Sequence, residues 1–456
     1  MSSVRRPQPR VSPARATAFA VLRRVFEQGA YADRAFAAQA AGLEPRDRAL
    51  AMQIAYGTTQ RRDTLDHVAA GLVRGRLAEL EPPVLAALRM GMFQLLYLQG
   101  IPDHAAVGES VELAKRRSPG GARLVNAVLR RAAREGKGLL GALHDDDPEG
   151  AAVLHSVPRW LAEMWWSELG ASRARSLLRS INLPAESALR VNLLVSTVAQ
   201  VSAALPVAHR PAPGLPEGLV LEEPLDVQSH PLWERGAIMA QSRASMLVAR
   251  VLAPAGGDRV LDLCAAPGAK TTHLAALMGG NGNVLAIERH PGRAAALERT
   301  CRRMQAGNVA VQVADAVRLH TGREDLLGAF DRVLVDPPCS GLGTLRSRPD
   351  LRWRARPGGI RELAELQGQL LRAGAAATRP GGCLVYSVCT ISQAEGTEVV
   401  EAFLRSGGEF TPEPLGDEFP EWAHSHRARY LQLLPDQDGT DGFFMARLRR
   451  SDDGAR

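Results

Sequence analysis

Apolar residues recur every three or four positions through the first third of the chain, with charged and small residues between them. Segments 17–28 and 46–60 carry this helical spacing. In 83–98, Val84, Leu85, Leu88, Met92, Leu95 and Leu96 form one broad apolar face, the pattern of a helix packed on a core. Pro82-Pro83 suits its start and Gly100 its end. Segments 105–116 and 123–134 read as two further helices, separated by Ser118-Pro-Gly-Gly121. About five or six short helices with brief loops predict an all-α bundle over residues 13–140.

A polar stretch at 138–150, containing Asp145-Asp-Asp-Pro148, reads as a linker. Residues 151–240 then mix a helix bearing Trp165 and Trp166 with the strand-like Ala188-Leu-Arg-Val-Asn192 and a proline-rich run of short strands, a small α/β connecting region. Trp160 and Trp165 suit stacking on bases or packing in a core, and aromatics at helical spacing are more often core. A helix at 241–252 leads into alternation. Strands fall at 260–263, 284–287, 309–313, 332–335 and 383–387, and helices at 270–278, 291–304, 361–377 and 393–405. Strands at 431–434 and 442–448 close the pattern as an antiparallel hairpin. This alternation predicts a doubly wound sheet. The fold class is therefore α/β: an N-terminal helical bundle, a small α/β connecting region, and a seven-stranded, Rossmann-like domain over 241–449.

The stretch Arg259-Val-Leu-Asp-Leu-Cys-Ala-Ala-Pro-Gly-Ala-Lys-Thr-Thr272 is a buried strand, a tight turn and a helix start at about Lys270. That arrangement is the usual ligand crevice of an open α/β sheet. Neither G-x-G-x-x-G nor G-x-x-x-x-G-K-[ST] is present, so the dinucleotide and P-loop fingerprints are unmet. Pro267-Gly268 makes a corner, and Ala265, Ala266 and Ala269 keep side chains small, leaving room for a bulky ligand such as S-adenosylmethionine (SAM). Glu288, Asp315 and Asp336 end three successive strands on the crevice side. An acid at the second strand end can accept both ribose hydroxyls of a nucleoside, and Asp315 is placed to take an adenine amino group. A lone acid there is often only a helix cap; three in succession point to a ligand. Arg293, opening the next helix, is counted with the cofactor residues.

Composition narrows the partners. A length of 456 residues suits about two or three domains. Net charge +7 and a pI near 9.5 favour a polyanion. Lys115, Lys137 and Lys270 are the only lysines, so Lys270 stands out as a place where arginine does not serve. No apolar run is long enough to span a membrane. The basic start, residues 1–12, lacks the apolar core of a secretory signal and reads as a disordered tail. Five cysteines without a C-x-x-C pair argue against a disulfide framework or zinc site and for a reducing cytoplasm. No metal is expected, and the chain is expected to be a monomer. The run Arg346-Ser-Arg-Pro-Asp-Leu-Arg-Trp-Arg354 reads as a phosphate and base contact strip, with a solvated loop as the alternative.

Two thiols point to the reaction. Cys339 lies in Asp336-Pro-Pro-Cys-Ser-Gly341 and Cys389 in Tyr386-Ser-Val-Cys-Thr-Ile391, both after strands facing the crevice. Enzymes that methylate an exocyclic amino group often carry an aromatic residue at the position of Cys339. Cytosine C5 is a weak nucleophile, and addition of a thiolate to C6 makes it enamine-like. An acid near ring N3, such as Asp336, would stabilise that adduct. Spacing leaves open which thiol attacks. Cys264, Cys301 and Cys383 read as small buried hydrophobes.

The segment Cys264 to Lys270, with Glu288, Asp315, Asp336-Pro-Pro-Cys-Ser-Gly341 and Ser387-Val-Cys-Thr390, resembles the Nol/Nop/Sun-type RNA cytosine-C5 methyltransferases. In front of it, Arg48-Ala-Leu-Ala-Met-Gln-Ile-Ala-Tyr-Gly57, Leu88-Arg-Met-Gly-Met-Phe-Gln-Leu-Leu-Tyr97, Ile101-Pro-Asp-His-Ala-Ala-Val107 and Val125-Asn-Ala-Val-Leu-Arg130 are similar to the NusB-like RNA-binding domain. With this bundle in front, the chain resembles the small-subunit ribosomal RNA methyltransferases. The resemblance implies that Cys389 attacks C6, that Cys339 assists product release, and that Cys264, Ala265, Ala266, Pro267, Gly268, Ala269, Lys270, Glu288, Asp315 and Asp336 surround SAM. Lys270 reaches either the target nucleotide or an acidic neighbour. Ala269 replaces the usual glycine and Glu288 the commoner aspartate. It implies RNA contact by the bundle, against the plainer reading that Arg116, Arg117, Arg130 and Arg131 solvate helix faces. Transfer RNA or another ribosomal site is the alternative substrate. A non-catalytic NusB-like RNA-binding or antitermination factor is the rival of another class.

Overall fold

The computed structural model describes residues 11–319, 323–407, 409–422 and 429–452. Residues 1–10 of the expected tail lie outside them. Ser12 belongs to the fold: its backbone N–H and its hydroxyl both donate to Glu109, at 2.8 and 2.7 Å. The chain forms two compact units, one running to Leu183 and including Ser347–Arg354, the other comprising Pro184–Arg346 and the remainder from Ala355.

In the first unit, seven helices lie between Pro13 and Gly141: Pro13–Gln28, Ala32–Gln39, Pro45–Gln60, Arg62–Leu72, Pro82–Tyr97, Asp103–Lys115 and Pro119–Gly141. Four of them open on a proline, whose fixed φ and missing N–H fit the first helical position. Ser118 caps the last of them by accepting from the Gly121 N–H at 3.2 Å. Pro82–Tyr97 is buried on most of its circumference, as the central helix of a bundle must be. Gly91 on it has no room for a side chain, since a Cβ would come within 2.4 Å of Leu129. The core gathers Leu22, Ile54, Leu65, Leu88, Met90 and Leu129, all fully buried.

The expected linker at 138–150 is mostly helical. Pro119–Gly141 runs into it, and Pro148–His155 starts inside it with Asp147 as its cap. Asp145 is buried, with His155 Nε2 at 3.1 Å, and accepts from Arg179. Trp165 is fully buried and belongs to the core. The arginine strip also needs correcting. Arg352 is fully buried and donates to the carbonyls of Gln60, His155, Ser156 and Ile181 and to Asn182 Oδ1. The Trp353 indole N–H donates to Thr59 O at 2.7 Å, Arg62 stacks on its ring, and Arg354 stacks on Tyr31. A guanidinium surrounded by carbonyls is an internal brace, not a phosphate contact. Arg131 pairs with Glu135 and donates to Leu72 O, whereas Arg116 and Arg117 are exposed.

The second unit contains two sheets. Strands β1 (Ser187–Val191), β2 (His209–Ala212), β3 (Leu215–Leu221) and β4 (Ile238–Ala240) form an antiparallel sheet in the order β2-β3-β1-β4. Its apolar face buries Leu189, Val191, Val201, Leu219 and Ile238. The larger sheet holds β5 (Arg259–Leu263), β6 (Asn283–Glu288), β7 (Val309–Val313), β8 (Phe330–Val335), β9 (Thr378–Val388), β10 (Phe410–Glu413), β11 (Leu431–Leu433) and β12 (Phe443–Arg450). Its order is β10-β12-β9-β8-β5-β6-β7, with β11 paired to β12. The doubly wound, Rossmann-like domain is as expected, but the sheet has eight strands where seven were expected. The extra strand, Phe410–Glu413, is short, contains Pro412 and lies at the edge, where a strand can lose a ladder donor and where periodicity is weakest.

Candidate active site

Strands β5, β6, β7, β8 and β9 are parallel, so their carboxyl ends share one edge of the sheet. Leu263 is level with Ile287 and Val335, and Glu288 with Val313. Cys264, Glu288, Asp315, Asp336 and Cys389 therefore emerge along one line. The first connection after β5 leads to β6 on one side and β8 lies on the other, which is the topological switch point where open sheets bind ligands.

The turn after β5 is tight. Cys264 has φ 65° and Gly268 φ 104°. A Cβ on Gly268 would come within 2.7 Å of Leu297, so glycine is required there on two counts. The Ala265 N–H donates to Ile287 O and the Gly268 N–H to Ala265 O, both at 2.9 Å. The helix Ala269–Leu277 follows, opening one residue before Lys270.

Cys264, Glu288, Arg293 and Asp315 line one cavity of about 90 Å³, walled on its apolar side by Pro338 and Leu366. Glu288 is buried, and its Oε1 accepts from the His290 N–H at 2.9 Å. Arg293 lies 3.4 Å from Glu288 Oε2 and donates to Ala266 O at 2.9 Å, tying the acid to the turn. Asp315 Oδ1 caps a short turn through the Val317 N–H at 3.2 Å; that capping bond uses one of its two oxygens. Burial, reinforced by Asp336, Asp262 and Glu288, pushes the Cys264 thiol up to about 12, and burial takes Cys301 to about 11. Both are neutral thiols at ordinary pH.

Ala265, Ala266, Pro267, Gly268, Ala269, Lys270, Asp336, Cys339 and Cys389 do not line that cavity. Lys270 donates to Asp336 Oδ2 at 2.8 Å, and the Ser387 hydroxyl donates to Asp336 Oδ1 at 2.8 Å. Of the two partners open to it, Lys270 thus takes the acidic neighbour. Burial alone would lower the proton affinity of Lys270, but Asp336 outweighs it and the net direction is up. Behind this pair Asp262 is buried in β5, accepting from the Thr271 hydroxyl at 2.6 Å, and burial pushes its carboxyl up to about 7.

The Sγ atoms of Cys339 and Cys389 are 3.3 Å apart. A hydrogen bond with Cys389 and burial hold the Cys339 thiol well above the ordinary range; either sulfur can be the donor in that contact. Several residues that support them carry no signal in periodicity. Ser340 and Thr390 sit inside the quoted motifs, beside the thiols, with their hydroxyls 2.9 Å apart. Glu395 and Gln367 lie on other segments and join them only in three dimensions.

The helix after the turn is also braced from the small sheet. Arg190 of β1 is fully buried and donates to Gln241, Thr272 Oγ1 and Ala269 O; burial pushes its guanidinium down to about 9. Burial would raise Glu217 of β3, but hydrogen bonds with His273 and Arg250 hold it low instead. Among the described residues no cluster of His, Cys, Asp or Glu could hold a metal ion, and no helix is long and apolar enough to cross a membrane. A larger cavity, about 640 Å³, lies in the first unit. The arginines lining it are already neutralised: Arg62 by Asp63, Arg89 by Asp66 and Arg354 by Asp350.

Residues 249–449 match the family described as 16S rRNA methyltransferase RsmB/F, residues 12–134 the NusB family, and residues 157–228 the ferredoxin-like domain of RsmF/B-like methyltransferases. The probable ribosomal RNA small subunit methyltransferase B of Synechocystis sp. is 34% identical over 449 residues, covering 96% of this chain and 99% of its own. The chain belongs to the ribosomal RNA small subunit methyltransferase B family. The family's Thermus thermophilus member is 37% identical over 410 residues, covering 89% of each chain. A solved protein designated PH0851 superimposes with a TM-score of 0.81 at 27% identity, covering 97% of this chain and all of that one. Methyltransferase B relatives thus match nearly end to end, from the helical bundle through the thiol pair.

Proposed function

We propose that the chain transfers a methyl group from SAM to C5 of a cytosine in small-subunit ribosomal RNA, through a covalent bond between Cys389 and C6. The observation that carries this reading is the thiol pair: two cysteines 3.3 Å apart, at the carboxyl ends of neighbouring strands and beside Asp336. The residues present suit SAM. Buried Glu288 and Asp315, which keeps one oxygen outside its capping bond, line one cavity as acceptors. Glu288 would accept the ribose hydroxyls and Asp315 the adenine amino group, between Pro338 and Leu366. The 264–270 loop and Arg293 frame the rest. SAM supplies an electrophilic methyl carbon on a sulfonium.

The chain's own groups then act in order. Cys389, as a thiolate, adds to C6 and pushes the electron pair to C5. The Lys270 ammonium supplies a proton to N3, relayed through the Asp336 carboxylate it is bonded to. C5 takes the methyl group. Cys339, as a thiolate at this stage, takes the C5 proton; the C–H electron pair re-forms the ring double bond and expels Cys389 as a thiolate, and N3 gives its proton back to Lys270 through Asp336. Residues 13–140 and 151–240 would bring the RNA to the catalytic domain at 241–449, in the cytoplasm.

Methylation assays of Cys389→Ala and Cys339→Ala on small-subunit RNA test the scheme. Cys389→Ala should lose turnover, and Cys339→Ala should accumulate protein covalently bound to RNA, seen as a shifted band under denaturing conditions. Full turnover by Cys389→Ala refutes the nucleophile assignment. Bisulfite sequencing of RNA from a deletion strain separates a ribosomal target from transfer RNA.

A further inference from the structure

We infer that Glu395 is a positioning residue that holds the two thiols in register. Glu395 is fully buried, and its described side-chain partners are neutral donors. Oε1 accepts from the Ser340 N–H at 2.8 Å and from Gln367 Nε2 at 3.1 Å. Oε2 accepts from the Ser340 hydroxyl at 2.5 Å and from the Thr390 hydroxyl at 3.3 Å. An ionised carboxylate accepts at about four lone-pair sites, so these four donors fill it. The backbone carbonyl is used as well, accepting from the Tyr386 hydroxyl at 2.6 Å.

What this carboxylate ties together is specific. Ser340 follows Cys339 and Thr390 follows Cys389, so one side chain grips both thiol-bearing segments. Gln367 donates to Glu395 and also to Pro338 O at 2.9 Å, fixing the other side of Cys339. With both backbones pinned, the thiols are left with little freedom beyond rotation of their own side chains. The Cys339–Cys389 contact then follows from where Glu395 puts the two segments. This role rests on the reading that both thiols act on one base, since attack and release from a single ring require sulfurs held within one narrow geometry. Displacing a reacting group by about 1 Å can cost roughly 100-fold in rate.

The test uses Glu395→Gln, which keeps the shape but places an amide donor where donors already converge. Thiol proximity is read first, on the full-length protein without RNA. Diamide, a diazene, takes two electrons and two protons from the thiol pair and leaves a disulfide, quantified by alkylation and intact mass. Glu395→Gln should close the Cys339–Cys389 disulfide about tenfold or more slowly than wild type, and kcat for methyl transfer should fall by a similar or larger factor. The KM for SAM should change by a smaller factor than kcat, because Glu395 is not among the residues lining the Glu288–Asp315 cavity. Ser340→Ala, a smaller lesion, should slow closure by a lesser factor and decides the matter should Glu395→Gln not fold. Wild-type closure rates and kcat in the folded variant overturn the inference. If Cys389→Ala keeps full turnover, the covalent scheme falls, yet disulfide closure still measures whether Glu395 holds the thiols.

Discussion

Asp262 offers a quantitative check on the electrostatics under the turn after β5. It is 1% exposed, one oxygen accepts from Thr271, and the other, Oδ1, has no hydrogen-bond partner among the described residues. Burial carries its carboxyl to about 7, whereas an unfolded aspartate titrates near about 3.9. Between those values the folded chain holds a proton that the unfolded chain does not, so stability falls with rising pH. The contribution is fully present below about 4 and is lost as pH rises through about 7. From about pH 5.5 to about pH 8.5 the loss amounts to about 1.5 pH units, or roughly 2 kcal/mol at about 1.4 kcal/mol per unit. Asp262→Asn removes the titration and keeps an acceptor for Thr271. The variant should therefore gain roughly 2 kcal/mol relative to wild type across that range. Urea unfolding followed by tryptophan fluorescence at both ends measures it. His273, which burial pushes down to about 4, titrates in both proteins and cancels in the difference. A difference that stays flat with pH would refute the assignment of a buried, proton-holding carboxyl.

Two further expectations can be checked with single variants. Gly268→Ala forces a side chain into φ 104° and against Leu297. The left-handed penalty of about 1–2 kcal/mol, with the clash added, should lower the stability of the second unit by at least that much, read as a lowered urea midpoint. Arg352→Met strips donors from four carbonyls and Asn182 inside the first unit. It should destabilise that unit by about 3 kcal/mol or more, seen as a lowered thermal midpoint.

Periodicity carried the architecture because both units bury broad, regular faces. The Pro82–Tyr97 helix and the parallel strands β5 to β9 lie where spacing and turn residues put them. Acids at strand ends were legible for the same reason: a parallel sheet aligns its carboxyl ends, so Glu288, Asp315 and Asp336 converge whatever lies between them. The edge strand at Phe410–Glu413 was illegible because Pro412 breaks the usual strand signal. Arg352 and Trp353 misled for another reason. Arginine beside tryptophan is the composition of a nucleic-acid contact and equally of a buried brace, and only the carbonyls around Arg352 separate the two. Glu395 and Gln367 were beyond spacing, since the bonds that tie them to Ser340, to Pro338 and to each other span 28 to 55 residues of chain.

The excursion of Ser347–Arg354 into the first unit sets an order of events on the ribosome. Domains tend to fold as they emerge, N-terminal first, but the first unit includes an eight-residue piece that is synthesised after most of the second. Until Arg352 arrives, the carbonyls of Gln60, His155, Ser156 and Ile181 lack the donor that the finished protein gives them. A nascent chain stopped at Leu183 is thus an incomplete domain rather than an early one. The first unit can be completed only once the segment just past the Cys339 loop has been made, so a finished first unit certifies that translation has passed that loop.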